Sequence, residues 1–347
     1  MTTNGVTRVL VVDDSAYVRK VVTQMLSRSP LLEVVGTARD GREALDQVVD
    51  LQPDVITCDL IMPNLDGVGF VVEQMARKPL PIVIVSVASE AGELALNALD
   101  AGAVDFIQKP TALASERLLE ISDELIGKVK TAAHARLRAL PASAQPRTPF
   151  VAPLMARGTF DAIVIGISTG GPQALRSMLP QLPADLPVPM AIVLHMPVGF
   201  TELYARKLDE LSPLKVCEAA DGMEMQPGTV LLAPAGRHLT LRRNDKGVVV
   251  AHLDVRPLDT PHRPSVDVLF QSAADVYHGR VLGIVMTGMG EDGREGAAWI
   301  KAKGGTIVTE SEESCVVYGM PRAIVEAGLS DRSVGLDRMA EAILEHV

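Results

Sequence analysis

The sequence predicts an α/β protein of two domains, and three observations carry that expectation. Apolar strand-like runs alternate with longer amphipathic stretches through both halves of the chain. A proline-rich stretch without sustained periodicity lies between the halves. The 347 residues, 47% of them hydrophobic, are enough to bury about two separate cores.

In the first half "RVLVVD", "LEVVGTA", "DVITCD", "PIVIVS" and "VDFIQ" each precede a helical pattern, so residues 7–128 read as a five-strand βα series. "HARLRALPASAQPRTPFVAPLMARG" then sets Pro141, Pro146, Pro149 and Pro153 among small and basic residues, and 129–159 reads as an interdomain linker. From 160 to 347 the alternation resumes with "DAIVIGI", "PMAIVLH", "VLLAP", "HLTLRR", "GVVVAHLD", "RVLGIVMTG" and "GGTIVTE". This second domain mixes βα units with a hairpin around "RNDKG". The halves share a style but no convincing repeat.

Charge and composition narrow the function. A net charge of -10 without any basic run gives no encouragement to a nucleic-acid partner, and none is expected, because phosphate neutralisation needs clustered Lys and Arg. The start "MTTNGVTRVLVVDD" has no secretory signal, and no apolar run reaches the roughly 20 residues of a membrane span, so a cytoplasmic protein without membrane insertion is expected. Cys58, Cys217 and Cys315 have neither paired nor metal-ligand spacing and read as packing residues. Nothing calls for more than a monomer.

In open parallel sheets functional groups collect at the carboxyl ends of strands. Asp13 and Asp14 close the first strand, Asp59 the third and Ser86 the fourth, and Lys109 follows the fifth. Clustered carboxylates repel, and a hard dication with oxygen ligands, most naturally Mg2+, relieves them. A phosphoryl group on one carboxylate would find the metal, Lys109 and the Ser86 hydroxyl ready for its oxygens. Each acid taken alone could be a helix N-cap; the convergence of four strand ends favours a site.

The second half holds Gly166-x-Ser168-x-Gly170 at a strand-to-helix junction, which presents a hydroxyl on a sharp turn. A dinucleotide fingerprint would need glycine where Ser168 stands, while a phosphate-cradling turn remains open. A serine nucleophile needs a base. Of seven histidines, His195 ends an apolar strand on the same sheet edge. His134, His252 and His346 are less well placed, and His238, His262 and His278 suit binding or surface roles. The strand in "RVLGIVMTGMGEDGREG" runs into a glycine-rich turn with Glu291 and Asp292 at the following helix start, where a carboxylate could orient the imidazole unless Asp292 merely caps that helix; the turn also lets the Met289 N–H serve a developing oxyanion.

Two resemblances sharpen these expectations. Through "DD", "CDLIMPNLDG", "VS" and "QKP", residues 7–128 resemble response-regulator receiver domains, which have a flavodoxin-like (βα)5 fold. That resemblance implies Asp59 as the acceptor of phosphate from a histidine kinase, and Mg2+ held by Asp13, Asp14, Asp59 and the main-chain carbonyl of Ile61. It further implies Ser86 and Phe106 as a switch pair, with Lys109 on the phosphate. Val87 replaces a commonly small residue.

Through "IGISTGG", "LHMPVGFT", "LLAPAGRH", "HRPSVDVLF", "VMTGMGEDG" and "VVYGMPRA", residues 160–347 resemble the catalytic domain of chemotaxis protein-glutamate methylesterases. The resemblance implies a doubly wound α/β domain and a triad of Ser168, His195 and Asp292 with no cofactor in the esterase site. Ile167, Leu194 and Ala235 depart from the family's usual residues. The expected activity is phosphorylation-activated hydrolysis of glutamyl γ-methyl esters on chemoreceptor cytoplasmic domains, with deamidation of selected glutamines. A chemotaxis histidine kinase is the implied phosphodonor. A catalytically silent docking module is the alternative, and the three filled triad positions speak against it. A transcriptional regulator would need a basic helix-turn-helix, which the sequence lacks.

Overall fold

Parallel sheets organise both halves. The computed structural model describes residues 5–86, 92–109, 115–135 and 160–347, with backbone alone for 115–120. The chain divides into two compact units, Met1–Ala142 and Ser143–Val347.

In the first unit the predicted strands are β1 (Thr7–Val12), β2 (Leu32–Ala38), β3 (Val55–Cys58), β4 (Ile82–Ser86) and β5 (Asp105–Gln108). They pair in parallel in the order β2-β1-β3-β4-β5. The helices are α1 (Ala16–Leu26), α2 (Gly41–Leu51), α3 (Gly67–Arg77), α4 (Gly92–Asp100) and α5 (Ser115–Ala133). β3 and β4 are buried along their whole length, which is why they read as unbroken apolar runs. Pairing β1 with β3 places Asp13, Asp14 and Asp59 at neighbouring strand ends.

The helix α5 extends past residue 128, where the sequence suggested a linker. Leu125, Val129 and Ala132 are all buried, a spacing of four and three that continues one helix face. Residues 136–159, the rest of that segment, lie outside the described residues, as does Val87.

The second unit contains β6 (Ala162–Ile167), α6 (Gly171–Met178), β7 (Met190–Leu194), α7 (Thr201–Leu211), β8 (Lys215–Glu218) and β9 (Thr229–Leu232). It continues with β10 (His238–Arg243), β11 (Val249–Asp254), α8 (Val266–Tyr277), β12 (Val281–Val285) and α9 (Arg294–Ala302). It ends with β13 (Thr306–Glu310), α10 (Met320–Glu326), β14 (Arg332–Val334) and α11 (Leu336–Leu344). Seven strands form one parallel sheet in the order β14-β13-β12-β6-β7-β9-β8. The chain winds outward from β6 through β7, then returns to the other side of β6 with β12, so the sheet is doubly wound with its switch point at β6. Sequence patterning misses β8 and β14, the two edge strands of 4 and 3 residues, because such short runs carry little alternation.

The expected hairpin is present. β10 and β11 pair antiparallel, and the Asn244 side-chain oxygen accepts from the Lys246 and Val248 N–H groups to close the turn. Leu239, Leu241 and Ala251 of the hairpin share a buried cluster with Leu269, Phe270 and Ala273 of α8. Among the described residues, no helix is long and apolar enough to cross a membrane.

A missing side chain sets the position of α8. A Cβ on Gly166 would lie 2.3 Å from Val266 Cγ1, so glycine here lets the first turn of α8 press against the central strand. Val266 is β-branched and cannot rotate away cheaply. Gly166→Ala is expected to destabilise the protein by about 1–3 kcal/mol, read as a lower urea midpoint at unchanged m-value.

Candidate functional site

Three adjacent strands, β12, β6 and β7, end at the same edge of the second sheet. Ile167 of β6 pairs with Leu194 of β7, so Ser168 and His195 leave the sheet side by side, and the His195 N–H donates to the Ile167 carbonyl at 3.1 Å. Asp292 lies in the turn between β12 and α9.

Gly170, with φ of 79°, turns the chain sharply from Ser168 into α6, and Gly171 N–H closes that turn on the Ser168 carbonyl. Ile167 and Leu194, two of the departures noted above, pack from behind: a Cβ on Gly171 would meet both side chains within 3 Å. On the other side the turn after β12 presses against the serine. The Ser168 N–H donates to the Thr287 carbonyl at 3.0 Å, and a Cβ on Gly288 would fall 2.8 Å from Ser168 Cβ. Met289, the expected oxyanion donor, follows directly in this turn.

Thr287 ties the turn down. Its buried hydroxyl donates to the Thr169 carbonyl at 2.9 Å and accepts from the Val317 N–H at 3.0 Å. Its own N–H donates to the fully buried Glu310 carboxylate at the end of β13. Sequence reading missed both residues; an acid closing the apolar run "GGTIVTE" was the available signal.

His195 Nε2 donates to Asp292 Oδ2 at 2.9 Å, with both side chains nearly buried. With an ionised Asp292, the neutral ring therefore carries its proton on Nε2 and leaves Nδ1 as an acceptor. Nδ1 is buried with no hydrogen-bond partner, and among the described residues no hydrogen bond joins it to the Ser168 hydroxyl. A buried acceptor without a donor costs about 1–3 kcal/mol, and the adjacent serine hydroxyl is the group able to satisfy it.

Asp292 is held from four directions. Besides His195, its carboxylate accepts from the N–H groups of Val266 (2.8 Å) and Asp267 (3.1 Å) and from the Ser265 hydroxyl (2.9 Å). It therefore caps α8, a helix distant in sequence, and not α9 as local sequence suggested; the N-cap residue of α9 is Gly293, which supplies no side-chain cap bond. Asp267 returns the exchange, accepting from the Gly293 and Gly296 N–H groups at the start of α9. Burial alone would raise the Asp292 pKa, but the bonds from His195, Val266 and Asp267 outweigh it and hold the carboxyl well below its usual range. Asp267 is pushed up to about 7, by burial first and then by the neighbouring Asp292 charge.

In the first unit, Asp13 and Asp59 are buried and Lys109 Nζ bridges them at 2.6 and 2.7 Å. Burial alone would lower the Lys109 pKa; bonding to two carboxylates raises it overall. Asp13 is raised, by burial chiefly, since two acids share one ammonium. Ligand oxygens of Asp13, Asp14 and Asp59 lie within 4.8 Å of one another, and among the described residues the Ile61 carbonyl accepts no hydrogen bond. An all-oxygen set of this size fits Mg2+ chemistry. Ser86 is buried at the end of β4, its carbonyl accepting from the Lys109 N–H at 2.8 Å, and Phe106 is buried on β5 opposite Ile84. Lys128 of α5, which the sequence did not single out, donates to the Phe106 carbonyl and pairs with Asp105.

A CheB methylesterase model matches residues 163–343, and a response regulator receiver domain model matches residues 9–121. The chain belongs to the CheB methylesterase family. Protein-glutamate methylesterase/protein-glutamine glutaminase 5 of Myxococcus xanthus (strain DK1622) is 52% identical over 348 residues, covering 100% of both chains. The protein-glutamate methylesterase/protein-glutamine glutaminase of Symbiobacterium thermophilum is 44% identical, over 98% of this chain and 97% of that one. The crystal structure of the Thermotoga maritima CheB methylesterase catalytic domain matches at a TM-score of 0.53 and 41% identity, covering 54% of this chain and 99% of that one.

Within this CheB-family chain the remaining histidines sort by environment. His134 bonds the Lys130 carbonyl, His252 pairs with Asp221, His346 bonds the Ala342 carbonyl and His278 ends α8. His262 stacks on His195. His238 is fully buried rather than at a surface: Nδ1 accepts from the Ser265 N–H at 3.2 Å and Nε2 donates to the Pro257 carbonyl at 3.0 Å.

Burial lowers the His238 pKa below its ordinary 6.5, so the fold prefers the neutral ring. The unfolded chain then binds more protons at this site below about 6.5, and the His238 contribution to stability falls as pH drops through that value. Asp267, whose raised pKa works in the opposite direction over the same range, is common to wild type and variant. The stability advantage of wild type over His238→Gln, read from urea midpoints and about 2 kcal/mol at pH 8, is therefore expected to shrink from pH 7 to pH 5.

Proposed function

We propose that the chain is a phosphorylation-activated protein-glutamate methylesterase and glutamine deamidase acting on chemoreceptors. The observation that carries the catalytic half is the Asp292–His195 bond beside Ser168, with the unpartnered Nδ1 as its free end.

The Ser168 hydroxyl attacks the carbonyl carbon of a glutamyl γ-methyl ester while its proton passes to His195 Nδ1. Negative charge developing on the carbonyl oxygen is met by the Met289 N–H. The intermediate collapses to an acyl-enzyme as the methoxy group leaves with the proton from Nδ1. Water then attacks the acyl carbon, His195 takes its proton and returns it to Ser168, and the products are glutamate and methanol. For a glutamine side chain the same steps release ammonia. Asp292 stays ionised throughout, since its four donors favour the carboxylate, and it stabilises the imidazolium that forms twice per turnover.

Control resides in the receiver. Asp59 accepts a phosphoryl group from a histidine kinase, and Lys109 and Ser86 bind the transferred oxygens. Asp13, Asp14, Asp59 and the Ile61 carbonyl would hold Mg2+, which neutralises charge during the transfer. Phe106 and Ser86 form the switch that reports the added charge. Without phosphate the receiver restrains the esterase.

The reading is supported by the family membership, the oxygen-lined acid pocket and the triad geometry. It is tested by methanol release from methylated receptors with and without a small phosphodonor such as acetyl phosphate. The wild-type chain should accelerate with the donor, Asp59→Asn should not respond, and Ser168→Ala should lose about 10⁴-fold or more in either condition. Retained turnover in Ser168→Ala would reject the nucleophile, and a donor-independent wild-type rate would reject the control.

A further inference from the structure

The triad accounts for one face of the His195 edge contacts but leaves the flat of its ring unexplained. The His262 imidazole lies against it, with ring centroids 4.2 Å apart and planes tilted by only 27°. We propose that His262 is a positioning residue of the esterase, a reading that rests on the triad assignment: its ring, stacked on His195, fixes the imidazole plane that aims Nδ1 at Ser168.

The need for such a contact follows from how His195 is held. One hydrogen bond, from Nε2 to Asp292, secures the far end of the ring, and Nδ1 has no partner in the resting site. A single bond at one ring atom fixes distance but restrains rotation of the ring about that contact weakly. A flat neighbour within stacking range supplies the missing restraint, because aromatic pairs favour offset parallel geometry over a tilted, open one. The second ring also covers a face that would otherwise meet water, and offers π density to the imidazolium formed during turnover.

His262 is itself built into place. The segment from Pro257 to Ser265 is secured on both sides of it by the buried His238, which bonds the Pro257 carbonyl at 3.0 Å, the Thr260 hydroxyl at 3.3 Å and the Ser265 N–H at 3.2 Å. Ser265, three residues on, donates its hydroxyl to Asp292. The same short segment thus bonds the triad acid and stacks on the triad base. His262 also borders a cavity of about 630 Å³ beside Asp292 and Trp299.

Steady-state methanol release by the full-length, phosphodonor-treated protein separates this role from a passive one. His262→Ala is expected to lower kcat about tenfold or more with KM little changed, since misaimed groups lose turnover rather than binding. His262→Phe, which keeps a flat ring but neither nitrogen, should restore most of kcat. Wild-type kcat in His262→Ala would overturn the proposal, as would equal losses in the Ala and Phe variants. Ser168→Ala, run alongside, separates the two layers: residual turnover there removes the triad itself, whereas an inactive Ser168→Ala with fully active His262→Ala removes only the stack.

Discussion

The Asp292 carboxylate is the constraint on which the catalytic half depends. It is nearly buried, and an isolated buried carboxylate would take up a proton and lose its function. Four donors prevent this: two N–H groups from the first turn of α8, the Ser265 hydroxyl and the His195 ring. The helix end needs an acceptor and the acid needs donors, so one contact satisfies both. The same contact fixes α8 to the turn after β12, and Asp267 repeats the device in reverse by accepting at the start of α9. Loss of the carboxylate would leave a helix end, a hydroxyl and an imidazole unsatisfied together.

Sheet topology makes this contact possible. Because β6 sits between β12 and β7, residues separated by more than a hundred positions leave adjacent strands at one edge. Gly166 allows α8 to press close enough for its N-terminus to reach Asp292, and Thr287 with Glu310 anchors the turn that flanks Ser168. The receiver uses the same logic with fewer parts: pairing of β1 with β3 joins three carboxylates, and Lys109 offsets their repulsion.

Much of this was legible in the chain because strand ends mark sites in parallel sheets. Ser168 and His195 could be placed by that rule, as could Asp13, Asp59 and Lys109, whereas the rule offered Glu291 and Asp292 alike and only the family resemblance chose Asp292. What escaped was whatever depends on contacts between distant segments. Local sequence offers Asp292 as a cap for α9, whereas folding delivers it to α8. His238 in "PAGRH" reads as a binding or surface residue but is buried, bonding both ends of the 257–265 segment. His262 has no periodic signal at all, and its stack on His195 exists only once β7 and the 257–265 segment meet. The edge strands β8 and β14 were too short to register, and the end of α5 was hidden because its last turns run into a stretch rich in small residues.

The central claim is that the triad acid holds His195 through Nε2, leaving Nδ1 as the base. Nitrogen-15 NMR of histidine-labelled protein, with the His195 signals assigned by comparison with His195→Gln, measures this directly at a pH where the ring is neutral. A protonated Nε2 and an unprotonated Nδ1, both altered by Asp292→Asn, are expected. A neutral ring carrying its proton on Nδ1, or one indifferent to Asp292→Asn, would contradict the claim.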